Sequence, residues 1–230
     1  VEINQAEKKN LLAINQTKEK TYGQVLADKQ AKAAQIRAVL FPLRDSVAIP
    51  FGTALQYAEH ASAKTAVRPA FILAILQQES NLGSNVGSCY MTNPETGAGV
   101  KVSSGAAVKN VMKPTRDVQP FLAITKALGK DPYTTRVSCP FTVGYGGAMG
   151  PAQFIASTWK IFEDRLKDSL GRFANPWVAE DAFLASAMYL GDLGASSGTY
   201  SGEIRAACKY YGSGGTTCTY GRNVMKLKTG

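Results

Sequence analysis

The chain has 230 residues, 45% of them apolar, and a formal net charge of +9 at pH 7. No stretch approaches the roughly 20 apolar residues of a membrane-spanning helix, and a single histidine, His60, with four cysteines in no Cys-x-x-Cys spacing argues against zinc. The charge favours anionic partners, but no basic run is interleaved with stacking aromatics, so a dedicated nucleic-acid groove is not expected.

Val1 is preceded by no initiator methionine and opens no signal-peptide pattern, which reads as a mature fragment. Residues 1–40 contain no proline and only Gly23, and are rich in Lys, Gln, Glu and Ala. Apolar residues cluster at Leu11, Leu12 and Ile14, at Tyr22, Val25 and Leu26, and at Ile36, Val39 and Leu40. This interrupted stripe predicts a long helical arm over 1–45, coiled with a second helix or with a copy of itself. A solvated single helix is the plainer alternative. The Phe41-Pro42 and Ile49-Pro50 pairs separate the arm from a second domain, 46–230.

A short helix is expected over Thr53–Thr65, with Ala54, Leu55, Tyr57, Ala58 and Ala61 inward. Arg68-Pro69 starts the next, since proline suits the first helical turn. Apolar residues cover nearly every face from Phe71 to Leu76, so this helix is central. Glu79 follows Leu76, Ile75 and Ile72 by three, four and seven residues, which places its carboxylate on a buried stripe. Desolvation there raises the pKa, and a glutamic acid still protonated near neutrality is what a general acid requires. The competing reading is a frayed helix end reaching solvent or a lysine.

Residues 81–118 are rich in Gly, Ser, Asn and Thr and predict a long loop or lobe stapled by Cys89, part of an insertion around 81–143. Helices are expected at Asp117–Leu128, Gln153–Leu170, from Asn175-Pro176 through Met188-Tyr189-Leu190, and at Gly202–Tyr211 as the last core helix. Strand signals are almost absent, so the fold class is mostly α. Cys208 and Cys218 bracket a short Gly/Ser/Thr-rich loop suited to a disulfide; Cys89 and Cys139 would then form the other pair. Two disulfides imply an oxidising, extracytoplasmic location. Four free thiols in a cytosolic protein is the alternative.

Three pieces carry chemistry. Glu79-Ser80 is the first. The second is Gly144-Tyr145-Gly146-Gly147-Ala148-Met149-Gly150-Pro151-Ala152-Gln153-Phe154. Its glycines let a substrate lie against exposed peptide groups. Gln153 can bond sugar hydroxyl and acetamido groups, while Tyr145, Met149 and Phe154 offer apolar surface to sugar faces. It has no Gly-Lys-Ser/Thr for phosphate and no preceding strand for a dinucleotide. The third runs from Ala206 through Tyr210-Tyr211 to Gly214, where Tyr210 can orient the acid through its hydroxyl; a half-buried core aromatic is the alternative for each tyrosine.

In this order the pieces resemble the lytic murein transglycosylases with a goose-type-lysozyme-like fold, most closely the membrane-bound lytic transglycosylase B type. Asn175-Pro176-Trp177, Glu180-Asp181-Ala182 and Tyr189-Leu190 also look like that type. The resemblance spans residues 50–227; the arm is similar only to coiled-coil segments of secreted wall hydrolases. It implies cleavage of the β-1,4 bond between N-acetylmuramic acid and N-acetylglucosamine in peptidoglycan strands, leaving a 1,6-anhydromuramyl end, with no cofactor. Glu79 matches the acid/base, and Ser80, Gln153 and Tyr210 match positions lining the cleft. Where the family has Asn after the third-motif tyrosine, this chain has Tyr211.

One acid suffices if the 2-acetamido group stabilises C1 and Glu79 then deprotonates the 6-hydroxyl. Two-carboxylate glycosidases instead need a partner acid, for which Glu95, Asp117, Asp131, Glu180 and Asp181 are the candidates. A hydrolytic muramidase on the same fold, or a non-catalytic wall-binding module, are the alternative functions.

Overall fold

The structure, a computed structural model, describes Gln24, residues 49–141 and residues 144–229. The arm expected over 1–45 lies outside these residues, save Gln24.

Helix α1, Phe51–Thr65, buries Ala54, Ala58 and Ala61. Spaced by four and three, these small residues form one flat face, and α1 packs on both α2 and α5 through it. Helix α2, Pro69–Ser80, has proline in its first turn and buries every residue from Phe71 to Leu76. It ends in a left-handed (αL) stop: the Asn81 N–H donates to the Gln77 carbonyl at 3.0 Å and the Leu82 N–H to the Leu76 carbonyl at 3.2 Å. Both turn residues are left-handed, φ 53° for Asn81 and 48° for Leu82. Buried Leu82 anchors this stop, three residues after Glu79.

The region expected to be loop holds a three-stranded antiparallel sheet: β1 (Cys89–Met91), β2 (Gly99–Lys101) and β3 (Ala107–Val108), with Tyr90 opposite Val100 and Val100 opposite Ala107. Strands of two or three residues are too short to show an alternating pattern. Gly99 is obligatory, since a Cβ there would lie 1.8 Å from the Tyr90 carbonyl. A π-type turn, Pro114–Val118, leads into α3, Gln119–Ala127.

A small hairpin, β4 (Ala148–Met149) and β5 (Phe154–Ile155), precedes α4, Ala156–Leu170. The helix expected from Gln153 therefore starts three residues later, because Gln153 is left-handed (φ 51°) and the next two residues pair with β4. Helices α5 (Ala179–Asp192), α6 (Tyr200–Tyr210) and α7 (Thr219–Thr229) complete the order. The last was not expected. It packs on α2 and α6 through buried Tyr220, Val224 and Met225.

Two disulfides join Cys89 to Cys139 and Cys208 to Cys218. Cys89 and Cys208 lie in β1 and α6, not in loops. Three buried acids hold elements together. Asp117 accepts from Arg116 and from Ser157 in the first turn of α4. Asp181 takes both Arg172 nitrogens at 2.6 Å and the Asn175 N–H at 2.7 Å. Glu203 on α6 takes Arg68 beside α2, through two 2.7 Å bonds, and Lys228 on α7 at 2.6 Å.

Candidate active site

Glu79 occupies the last turn of α2. The core residues before it fix the helix, so the carboxylate is set by packing rather than by a mobile loop. The Tyr220 hydroxyl, from α7, donates to Glu79 Oε1. Burial pushes the Glu79 carboxyl up from its ordinary 4.5 to about 6, against the Tyr220 hydrogen bond, which lowers it. Asp117, Asp181 and Glu203, fully buried, each hold an arginine; Glu79, part-buried, is held by a phenol. It therefore keeps its proton at pH values where an ordinary carboxylate has lost it.

Tyrosines surround this position. Burial and the Glu79 charge push both Tyr210 and Tyr220 far above the ordinary phenol range, so both remain neutral donors. Tyr210 was expected to orient the acid. Instead its hydroxyl donates to the Ala152 carbonyl at 2.8 Å and accepts from Ser186 at 3.3 Å, tying α6 to the β4–β5 turn. The hydroxyl that donates to Glu79 is that of Tyr220. Tyr211 stacks on Tyr220, with ring centroids 4.8 Å apart and 14° between planes, and is 67% exposed.

The glycine-rich segment differs from expectation. Its peptide groups were expected to face a ligand, but the Gly146 N–H donates to the Asn110 carbonyl at 3.0 Å, that of Gly147 to Ser138 at 2.9 Å, and that of Ala148 to Ser138 Oγ at 3.0 Å. The glycines serve close backbone approach: a Cβ at Gly146 would lie 2.2 Å from the Ser138 carbonyl, and one at Gly150 1.8 Å from that of Pro176. Gln153 closes the turn, its backbone N–H and its Nε2 both donating to the Gly150 carbonyl at 3.2 and 2.8 Å. Tyr145 is 45% exposed.

Three residues expected to meet substrate are buried. Ser80 caps the end of α2: its hydroxyl accepts from the Gly83 N–H at 2.9 Å and donates to the Leu76 carbonyl at 3.3 Å. Met149 and Phe154 point inward from the hairpin. Phe154 sits in an aromatic cluster with Trp159, Phe162, Tyr189 and Tyr210, its ring centroid 5.7–6.1 Å from theirs. In this structure these three act through packing.

Tyr220, the hydrogen-bond donor to Glu79, was not among the residues expected at the site. Its signal was the spacing of Tyr220, Val224 and Met225, four and five residues apart on one helical face, weakened by Gly221 and the polar residues between.

The candidate second carboxylates have other work. Asp117 and Asp181 are held as above, Asp131 caps its own turn through the Tyr133 N–H and the Thr134 hydroxyl, Glu180 pairs with His60 at 3.1 Å, and Glu95 is exposed on the β1–β2 turn. Among the described residues no group of three or more His, Cys, Asp or Glu is placed to hold a metal, and no helix is long and apolar enough to cross a membrane.

No protein-family model matches the chain, and no curated protein matches it. Solved structures do. A 36 kDa muramidase/transglycosylase is 16% identical over 83% of this chain and 78% of its own length, with a TM-score of 0.52. The Escherichia coli lytic transglycosylase Slt35, in complex with bulgecin A, is 15% identical over 83% of this chain and 76% of its own, TM-score 0.51. Soluble lytic transglycosylase SltB1 from Pseudomonas aeruginosa is 23% identical over 60% of this chain, TM-score 0.43, and the chain spans 43% of its length. The mostly α fold is that of the lytic transglycosylases.

Proposed function

We propose that this chain, which has the fold of the lytic transglycosylases, cleaves the β-1,4 bond between N-acetylmuramic acid and N-acetylglucosamine in peptidoglycan and closes a 1,6-anhydro ring on the muramyl product. The observation that carries this reading is Glu79: a packed carboxyl with its pKa raised to about 6 by burial and steadied by a phenol. Such a group donates a proton near neutrality and, once ionised, takes one back.

In the first step Glu79 protonates the oxygen of the leaving N-acetylglucosamine while the substrate's own 2-acetamido oxygen supports positive charge at C1. The glycosidic C–O bond breaks and its electron pair leaves with that oxygen. In the second, the Glu79 carboxylate removes the proton of the 6-hydroxyl, whose oxygen bonds C1 as the acetamido oxygen departs. The proton count closes on Glu79 with no water consumed. The Tyr220 donor stabilises the carboxylate between the two steps. The engagement of Asp117 and Asp181 by arginines supports a single-acid route over a two-carboxylate hydrolysis.

Tyr211 and Tyr145, both exposed, are proposed to present ring faces to the glycan, and the Gln153 side chain is proposed to bond it. Residues 46–230 are the proposed catalytic domain, following the arm proposed over 1–45. The two disulfides favour an oxidising compartment outside the cytoplasm. The test is mass spectrometry of muropeptides released from purified peptidoglycan. The wild type should release fragments one water lighter than hydrolytic products, and Glu79→Gln none. Hydrated, reducible ends would move the reading to a muramidase; binding without release would move it to a wall-binding module.

A further inference from the structure

The donor to Glu79 stands on α7, 141 residues further along the chain, and something must hold that short helix in register with α2. Three contacts add to the packing of Tyr220, Val224 and Met225. At its far end Lys228 meets Glu203 at 2.6 Å. Along its side Gly221 lies against α6 so closely that a Cβ would fall 2.7 Å from Cys208 Sγ and 3.0 Å from the Ile204 carbonyl. At its start the Cys208–Cys218 bond joins the residue two before Tyr210 to the residue two before Tyr220, and the Gly221 N–H donates to Cys218 Sγ at 3.1 Å. Between the two helices runs Tyr211–Cys218, glycine-rich and mostly exposed from Tyr211 to Thr217.

We propose that the Cys208–Cys218 cystine, with Gly221 seated against it, is the positioning device that places the Tyr220 hydroxyl on Glu79. An eleven-residue helix entered through a glycine-rich loop frays at its first turn unless that turn is held. Tyr220 is in that turn. The Lys228 contact acts at the opposite end of the helix from Tyr220, so the first turn rests on its side-chain packing and on the cystine. Covalent closure at Cys218 holds that turn at the residue pair nearest the phenol. Its consequence reaches Glu79 twice: Tyr220 supplies the hydrogen bond, and its ring, stacked under Tyr211, excludes water from the carboxylate. The titratable groups acting electrostatically with Glu79 are Tyr220 from α7 and Tyr210 from α6.

This inference rests on the acid role proposed for Glu79, but its test needs no substrate. The Glu79 side-chain carboxyl is titrated by carbon NMR in the full chain. The wild type should titrate at about 6. Removing the cystine by Cys208→Ala with Cys218→Ala should let water in and bring the value down toward 4.5. Tyr220→Phe, which keeps the ring and the cystine and loses only the hydrogen bond, should move it the other way, above 6. Three glycines inserted after Gly215 lengthen the loop inside the intact ring and should leave the value unchanged; this variant keeps the test decisive if the cysteine pair cannot be removed without unfolding. A value still near 6 without the cystine, or one moved by the lengthened loop, overturns the proposal. A wild type that titrates as expected but leaves peptidoglycan intact overturns the enzymatic reading and not this one.

Discussion

Replacing Glu79 by glutamine should stabilise the protein, and only at high pH. The folded chain raises the Glu79 pKa from 4.5 to about 6, chiefly by burial. At about 1.4 kcal/mol per pH unit, that difference is worth about 2 kcal/mol. The folded state binds this proton more tightly than the unfolded chain, so the group favours folding below pH 4.5 and loses that contribution as pH rises through 6. Glutamine is neutral throughout, nearly the same shape, and its Oε1 still accepts from Tyr220. Urea unfolding of both proteins at pH 4 and pH 8 isolates the effect, because every other titrating group cancels in the difference between them. The stability of Glu79→Gln relative to wild type should rise by about 2 kcal/mol from pH 4 to pH 8, with the change centred between 4.5 and 6. A relative stability constant across that range, or one that falls, would refute the claim that burial rather than a nearby cation governs this carboxyl.

If Glu79 is the proposed acid, kcat/KM for glycan cleavage should fall as pH rises through about 6, and a limb near 4.5 would show a solvated Glu79. Gly150→Ala should lose at least about 3 kcal/mol in a denaturation curve, because φ is +59° and the Cβ would strike the Pro176 carbonyl. Gly52→Ala, in the first turn of α1 with nothing within 4 Å of the added carbon, should instead gain about 0.5 kcal/mol. Glu203→Ala removes the shared partner of Arg68 and Lys228. It should cost about 3–5 kcal/mol by the same measurement, with a loss under about 1 kcal/mol showing that the two cations find other partners.

The legible parts of the sequence were those where local pattern and global placement coincide. Helix α2 was readable because proline marks its start and an unbroken apolar run demands a central position; the offsets from Ile72 and Ile75 then put Glu79 on its buried side. The buried roles of Ser80, Met149 and Phe154 were not readable. Residue type marks a side chain as able to touch sugar, but only the β4–β5 hairpin decides which face meets the core. The glycines at 146 and 150 were read for openness, whereas they permit contact with Ser138 and Pro176, partners that no local pattern names. Tyr220 was hidden for a similar reason. Its helix is short and polar, and its contact with Glu79 is created by the packing of α7 on α2, not by spacing along the chain. The strands β1–β3 escaped notice because two or three residues cannot display alternation.

The central claim is that Glu79 breaks the glycan without adding water, and digestion of purified peptidoglycan in water labelled with heavy oxygen tests it most directly. Ring closure by the 6-hydroxyl should leave muramyl ends that carry no label and weigh one water less than hydrolytic products. Label on the new muramyl ends in proportion to bonds cut would contradict it.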